Sequence, residues 1–204
     1  MIKIIDYGIG NIQAFLNVYK RLGISADVAR SVDDIESATH LVLPGVGAFD
    51  QAMSLFNDSG LRESIEKRVF EEQIPIIGIC VGMQMLATSS EEGDMSGLGW
   101  IPGQVCSFSS NIASKSLPMP HMGWNNIIKR TNTLLLKDFE EMPSFYFLHS
   151  FYYECDDVDD VLATAEYGHN FHCIIGRNNI FGIQCHPEKS HSSGYQLLKN
   201  FAEI

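Results

Sequence analysis

The ten residues Pro75-Ile76-Ile77-Gly78-Ile79-Cys80-Val81-Gly82-Met83-Gln84 constrain this chain most, because a short apolar run ends at a cysteine with a glycine two positions to either side. The run reads as a buried strand and the residues after Cys80 as the start of a helix. Small flanking residues tolerate the strained strand-to-helix turn that lifts a nucleophile out of a sheet. At a helix N-terminus the dipole and the unpaired N–H groups favour a thiolate. The alternative is a buried core cysteine, the common state of a free Cys, but a core cysteine has no need of paired glycines.

The first half of the chain repeats this strand-then-helix pattern. Ile2 to Ile5 reads as a strand, Asp6 to Asn11 as a turn, and Ile12, Phe15, Leu16, Tyr19 and Leu22 as the apolar stripe of a helix stopped by Gly23. Strands follow at Ala26 to Ala29, His40 to Leu43 and Ile76 to Ile79, with helices near Asp50 to Phe56, Leu61 to Glu71 and after Cys80 through Ala87. Alternating strands and helices imply a parallel sheet, whose ligand sites lie at strand C-termini. After Glu91-Glu92-Gly93 the apolar segments shorten: Gln104 to Phe108, Asn125 to Ile128, Phe145 to His149, Val161 to Glu166, Phe171 to Gly176 and Ile180 to Gln184, closed by a helix from about Gly194 to Phe201. The expected fold is α/β, with a mostly parallel central sheet flanked by helices and a smaller, partly antiparallel sheet. No linker or repeat divides residues 1–204, so one domain is expected.

Of 204 residues, 45% are hydrophobic and 19% charged, as in a soluble globular protein. The formal charge of -11, without clustered Lys and Arg, argues against nucleic acid as a ligand. Five scattered cysteines with no C-x-x-C pair suggest neither a disulfide framework nor a metal site, and fit a cytoplasmic location. The N-terminal apolar run is too short for a signal peptide, and no stretch approaches the ~18 apolar residues of a membrane span.

Among seven histidines, His186 stands out, because it ends the apolar segment Phe181-Gly182-Ile183-Gln184-Cys185 and precedes Pro187-Glu188. Proline holds the residue before it extended, so His186 and Glu188 can point to one side. Cys80, His186 and Glu188 then form a nucleophile, a base and its orienter, an arrangement suited to acyl transfer. Alone, an H-P-E triplet is as readily a surface turn.

Gly78 to Gln84 together with His186-Pro187-Glu188-Lys189-Ser190 resembles the triad of the class I glutamine amidotransferases. Further segments narrow the likeness: Asp6-Tyr7-Gly8, Gly10-Asn11, Pro44-Gly45-Val46-Gly47-Ala48-Phe49, Gly97 to Gly103 and Pro120-His121-Met122-Gly123-Trp124-Asn125. Together they are similar to the glutaminase-subunit family of imidazole glycerol phosphate synthases. The resemblance implies that Cys80 attacks the side-chain amide of L-glutamine, His186 protonates the departing ammonia, and water releases glutamate. The ammonia would pass to a cyclase subunit, a (β/α)8 barrel paired with this chain as a heterodimer, for histidine biosynthesis; a paralogous synthase, such as one amidating a cell-surface sugar, is the alternative. No cofactor is implied, and the glycine-rich turns lack the Lys-Ser/Thr ending of a phosphate loop.

The resemblance also suggests roles for further residues. Backbone N–H groups of Val81 and of the Val46-Gly47 loop would form the oxyanion hole. Relatives often carry glycine where Val46 stands, and a β-branched residue resists positive φ, so this loop is expected to be inactive until a partner binds; a plain strand-to-helix turn is the competing reading. Gly45, Gln84 and Glu92 would hold glutamine, Glu92 through its α-ammonium, although Glu92 beside Glu91 also suits a solvated loop. Asn11, Trp124, Tyr146, His149 and Lys189 are expected at the synthase interface. Cys185 departs from the bulkier apolar residue common in relatives and is expected in the core with Cys106, Cys155 and Cys173. An esterase-like hydrolase would place its acid before a distant His, contrary to His186 preceding Glu188. A non-catalytic scaffold would not need all three residues.

Overall fold

The computed structural model describes residues 1–204. In chain order its elements are β1 (Ile2–Ile5), α1 (Ile12–Leu22), β2 (Ala26–Ala29), α2 (Val32–Glu36), β3 (His40–Gly45), α3 (Phe49–Asp58), α4 (Arg62–Glu66), β4 (Ile76–Cys80), α5 (Val81–Gln84), β5 (Ser89–Ser90), β6 (Gly103–Ser107), β7 (His121–Lys129), β8 (Ser144–His149), β9 (Phe151–Cys155), β10 (Val161–Tyr167), β11 (His169–Arg177), β12 (Ile180–Ile183) and α6 (His191–Ala202).

All twelve strands join one sheet. Along its main path the order is β2-β1-β3-β4-β12-β11-β10-β7-β8. The first five strands are parallel. From β12 onward every neighbouring pair is antiparallel. A branch leaves β11 through β9 to β6, and β6 pairs in parallel with the short β5. The α/β architecture with a parallel region flanked by helices is the one the apolar pattern implied, but the antiparallel strands continue the same mixed sheet rather than forming a smaller second one.

Helices cover the inner parallel strands, and β1, β4 and β12 have no exposed residue, whereas β2 at the edge exposes Asp27. Fully burying each of Ile76, Ile77 and Ile79 stabilises the fold by about 1.5–3 kcal/mol. Helix α1 buries Phe15, Val18 and Tyr19 and ends at Gly23, whose φ of 69° is the left-handed cap that glycine adopts without a Cβ penalty. The anticipated helix over Leu61 to Glu71 is α4 continued by a wider π-helical turn at Lys67–Glu71.

Three elements were not anticipated, the two-residue strand β5 among them. Helix α2 is only five residues long and is held by a capping box in which Ser31 and Asp34 bond reciprocally. Strand β9 starts one residue after β8 ends, so Phe145 to Cys155 reads as one apolar stretch in which Ser150 makes the corner.

Candidate active site

Strands β3, β4 and β12 are adjacent and parallel, so their C-terminal ends lie side by side. Gly45 is in register with Cys80, and Ile183 with Ile79. The Val46-Gly47-Ala48 loop, the Cys80 turn and the Gln184-Cys185-His186 segment therefore leave the sheet at one edge, where open α/β sheets gather their ligand sites. The backbone of His186 is also tied to the antiparallel half, since its N–H donates to the Tyr146 carbonyl at 2.8 Å. Ser190 completes this clamp: its Oγ donates to the His186 carbonyl at 2.6 Å and accepts from the Tyr146 N–H at 2.9 Å.

Cys80 has φ 57° and ψ -114°, a backbone strain that a non-glycine residue keeps only where the surroundings impose it. The glycines around it are there for space. A Cβ on Gly78 would run into the Gly82 backbone, one on Gly82 into the Leu43 carbonyl, and one on Gly45 into the Gly82 amide. Replacing Gly82 with alanine is therefore expected to destabilise the protein by about 1–3 kcal/mol through overpacking. Urea titration of Gly82→Ala checks this, and an unchanged midpoint would contradict the close approach.

His186 and Glu188 are both buried, with side-chain exposures of 7% and 4%. The His186 Nδ1–H donates to Glu188 Oε1 at 3.0 Å, which leaves Nε2 as the imidazole atom without a hydrogen-bond partner among the protein's own groups. Burial alone would lower the His186 pKa, but interaction with Cys80 and with Glu188 outweighs it and raises the value above that of ordinary histidine. The arrangement can take a proton from a thiol, hold it, and return it to a leaving group.

Cys80 and His186 open into a cavity of about 310 Å³, near the lower end of the range for small-molecule pockets. Val46, Gly47, Val81, Gln84, Glu92 and Lys189 also line it, so most of the residues singled out for chemistry and substrate share one space. Gly45 is buried just behind, in register with Cys80. In the Val46–Gly47 loop the left-handed residue is Gly47, at φ 88°, and Val46 is not among the residues with positive φ, so its β-branch meets no backbone strain. One oxygen of Glu92 accepts the Phe49 N–H at 2.9 Å, at the start of α3; partial burial raises the carboxyl's pKa, against that hydrogen bond. Glu92 is thus a wall of the cavity rather than a solvated loop acid. Gln84 is buried and donates to the Phe151 carbonyl at 3.2 Å and to Gln184 Oε1 at 3.1 Å.

The expected interface residues divide. Asn11 and Lys189 are exposed, Tyr146 is partly exposed, and Trp124 is 51% exposed. Lys189 lies over the Tyr146 ring, which meets Trp124 edge to face. His149 departs from the expectation of a surface role: it is buried and hydrogen-bonded to His121 and to the Phe151 carbonyl, and it faces the cavity. On β8 the alternation of a half-covered strand points His149 inward and Tyr146 outward. Cys106 also departs, being only partly buried with its thiol on the Glu154 carboxylate at 3.7 Å. Cys155, Cys173 and Cys185 are buried as expected. Burial pushes the thiol pKa values of all four upward and so withdraws them from nucleophilic chemistry.

Sequence reasoning missed Gln184, Ser150 and Phe151. Gln184 is completely buried and its amide approaches the Cys80 sulfur at 3.9 Å. Its signal was available, since it stands two residues before His186 at the end of a strand and therefore on the same side. Ser150 and Phe151 form the corner between β8 and β9 and line the cavity, and nothing in their residue types marks them.

A family model described as glutamine amidotransferase class-I matches residues 3–204. The chain is 53% identical over 204 residues to the imidazole glycerol phosphate synthase subunit HisH of Bdellovibrio bacteriovorus, covering 100% of both. It is 47% identical to the HisH subunit of Leptospira interrogans, again over 100% of both. Among solved structures, one described as a glutamine amidotransferase superposes with a TM-score of 0.76 at 19% identity, over 99% of this chain and 97% of that one. PurLQS from Thermotoga maritima gives a TM-score of 0.74 at 18% identity with the same coverage, a likeness of fold alone.

Proposed function

The chain belongs to the class I glutamine amidotransferases, and from that premise we propose that it hydrolyses L-glutamine and hands the ammonia to the cyclase subunit of an imidazole glycerol phosphate synthase in histidine biosynthesis. The observation that carries the chemistry is the strained, cavity-facing Cys80 sharing that cavity with a His186 whose far side is held by Glu188.

Cys80 Sγ attacks the side-chain amide carbon of glutamine as His186 Nε2 takes the thiol proton. The C–O π pair moves onto oxygen, where the amides of Val81 and of the Val46-Gly47 loop stabilise it; one such donor is typically worth about 3–4 kcal/mol of barrier. His186 returns the proton to the nitrogen, the C–N bond breaks and ammonia leaves, giving a thioester. Water, deprotonated by His186, then attacks the thioester and frees glutamate and the thiol. A raised His186 pKa suits the step in which the imidazolium must hold its proton until nitrogen needs it. Glu92 receives the α-ammonium of glutamine, and Gln84 shapes the floor beneath it.

The route outward begins at the cavity rim. Met122 and Trp124 are exposed on the outer face of β7, and they pair with Leu148 and Tyr146 of β8. Leu148 and Lys189 belong to both the cavity wall and this apolar face, so a barrel seated on Trp124, Tyr146 and Lys189 would cover the mouth through which ammonia departs. Lys189 would meet an acidic group there, and Asn11, at the start of a helix packed on the Pro187–Lys189 turn, would border the same seat. No helix of the protein is long and apolar enough to cross a membrane, and a cytoplasmic site of action follows from the biosynthetic role.

The test is to purify the chain with its cyclase partner and supply glutamine as the sole nitrogen donor with the phosphoribulosyl substrate. Formation of imidazole glycerol phosphate with one glutamate per turnover is the expected result. Glutamate release without that product would move the chain to a paralogous synthase. The same assay on the isolated chain reads the oxyanion loop: a slower glutaminase that speeds up in the complex is expected, and a full rate without the partner would remove the idea of an inactive loop.

A further inference from the structure

Two buried histidines beside the cavity form a hydrogen-bonded chain whose proton positions are fixed from both ends. His149 Nδ1 lies 2.7 Å from the Phe151 carbonyl, which can only accept, so Nδ1 carries the proton and Nε2 is an acceptor. His121 Nδ1 stands 2.9 Å from that Nε2 and must donate to it. At the far end the Asn125 amide donates to the Glu166 carbonyl at 2.8 Å and to His121 Nε2 at 3.3 Å, which again leaves the His121 proton on Nδ1. Burial lowers the pKa of His121 to about 4 and of His149 to about 3, so both rings are neutral at physiological pH and each has one donor and one acceptor to place.

The chain does not stop at Phe151. The same carbonyl accepts from Gln84 Nε2, which also donates to Gln184 Oε1, and the Gln184 amide reaches the Cys80 sulfur. A continuous path of hydrogen bonds therefore links His121, which does not line the cavity, to the nucleophile, through His149 and Phe151, which do. We propose that His121 is a positioning residue of the glutaminase site: by donating to His149 Nε2 it holds that ring with Nδ1–H on the Phe151 carbonyl, and with it the Gln84 and Gln184 side chains beside Cys80. This inference rests on the glutaminase reading above.

Without the His121 donor, the His149 acceptor is left buried and unpaired. The ring can then turn to give Nε2 another partner, release the Phe151 carbonyl and loosen the wall against which glutamine binds. Phenylalanine at 121 keeps the aromatic packing, since the imidazole stacks on Tyr167 at 4.2 Å and on Phe147 at 5.2 Å, but it removes the donor. Asparagine gives up that packing yet offers a donor near the place of Nδ1. The two variants thus separate hydrogen bonding from space filling.

In the cyclase complex, His121→Phe is expected to lower kcat/KM for glutamine about 10-fold, mostly through KM, the size of one lost buried hydrogen bond. His121→Asn is expected to recover to within about 3-fold of the parent. Long-range 1H–15N spectra of the unsubstituted protein should show His149 protonated on Nδ1, and in His121→Phe the His149 Nε2 resonance should shift as the hydrogen bond it accepts is lost. A His121→Phe variant with parental kinetics, a His121→Asn variant no better than it, or a His149 protonated on Nε2 in the parent would each overturn the inference. A parent complex that releases no glutamate would instead strike the glutaminase reading, and the tautomer measurement would still decide the hydrogen-bond chain by itself.

Discussion

Replacing Cys80 with alanine will lower glutamate release from glutamine on the order of 10^4-fold or more, because the covalent route is lost outright and only the binding wall and the oxyanion donors remain. Fold stability should hardly change. The thiol forms part of the cavity wall, so its removal leaves no sealed void, and alanine inherits the same strained φ of 57°. The measurement is glutamate formation under saturating glutamine, paired with a urea midpoint. Covalent labelling by a glutamine analogue with an electrophilic carbon at the amide position should mark Cys80 in the parent and nothing in the variant. An alanine variant that still turned over glutamine would break the enzymatic reading, and the four remaining cysteines offer no substitute because burial holds their thiols protonated.

Glu188→Gln is expected to cost about 10^2–10^4-fold in kcat with little change in KM. Glutamine has nearly the volume of glutamate, so the buried pocket stays filled. What changes is the partner of His186 Nδ1. A carboxylate can only accept, which keeps the ring proton on Nδ1 and Nε2 turned to the thiol, whereas an amide can also donate and permits the opposite tautomer. The variant also has a signature in stability. His186 binds its proton more tightly in the folded chain than in the unfolded one, where it titrates near pH ~6.5, so its contribution to folding is fully present below that pH. It is lost as the pH climbs through the raised native value. In Glu188→Gln the native value falls, so the loss should be smaller and end at lower pH in urea titrations run from neutral into the alkaline range. A variant that kept the parental rate would show that the Glu188 carboxylate does not orient the imidazole.

The amino-acid sequence by itself determined the parts of this protein that depend on neighbours along the chain. The run Pro75 to Gln84 reads as a strand, a tight turn and a helix from its own residues, and Gly78 admits the close approach of the Gly82 backbone that the turn requires. His186 and Glu188 come together through two residues and a proline, and β1, β2, β3 and β4 announce themselves as short apolar runs between turns. Tertiary structure alone decided what depends on residues far apart. Whether His149 faces the partner or the cavity turned on which side of β8 is covered, and that was set by Phe108, just after β6, and Phe171 of β11 packing against its ring. Gln184 meets Gln84 across a hundred positions, and His121 meets His149 only because β7 and β8 pair at that register. A strand's pattern states which residues share a face, but the face that becomes interior is chosen by the elements that dock on it.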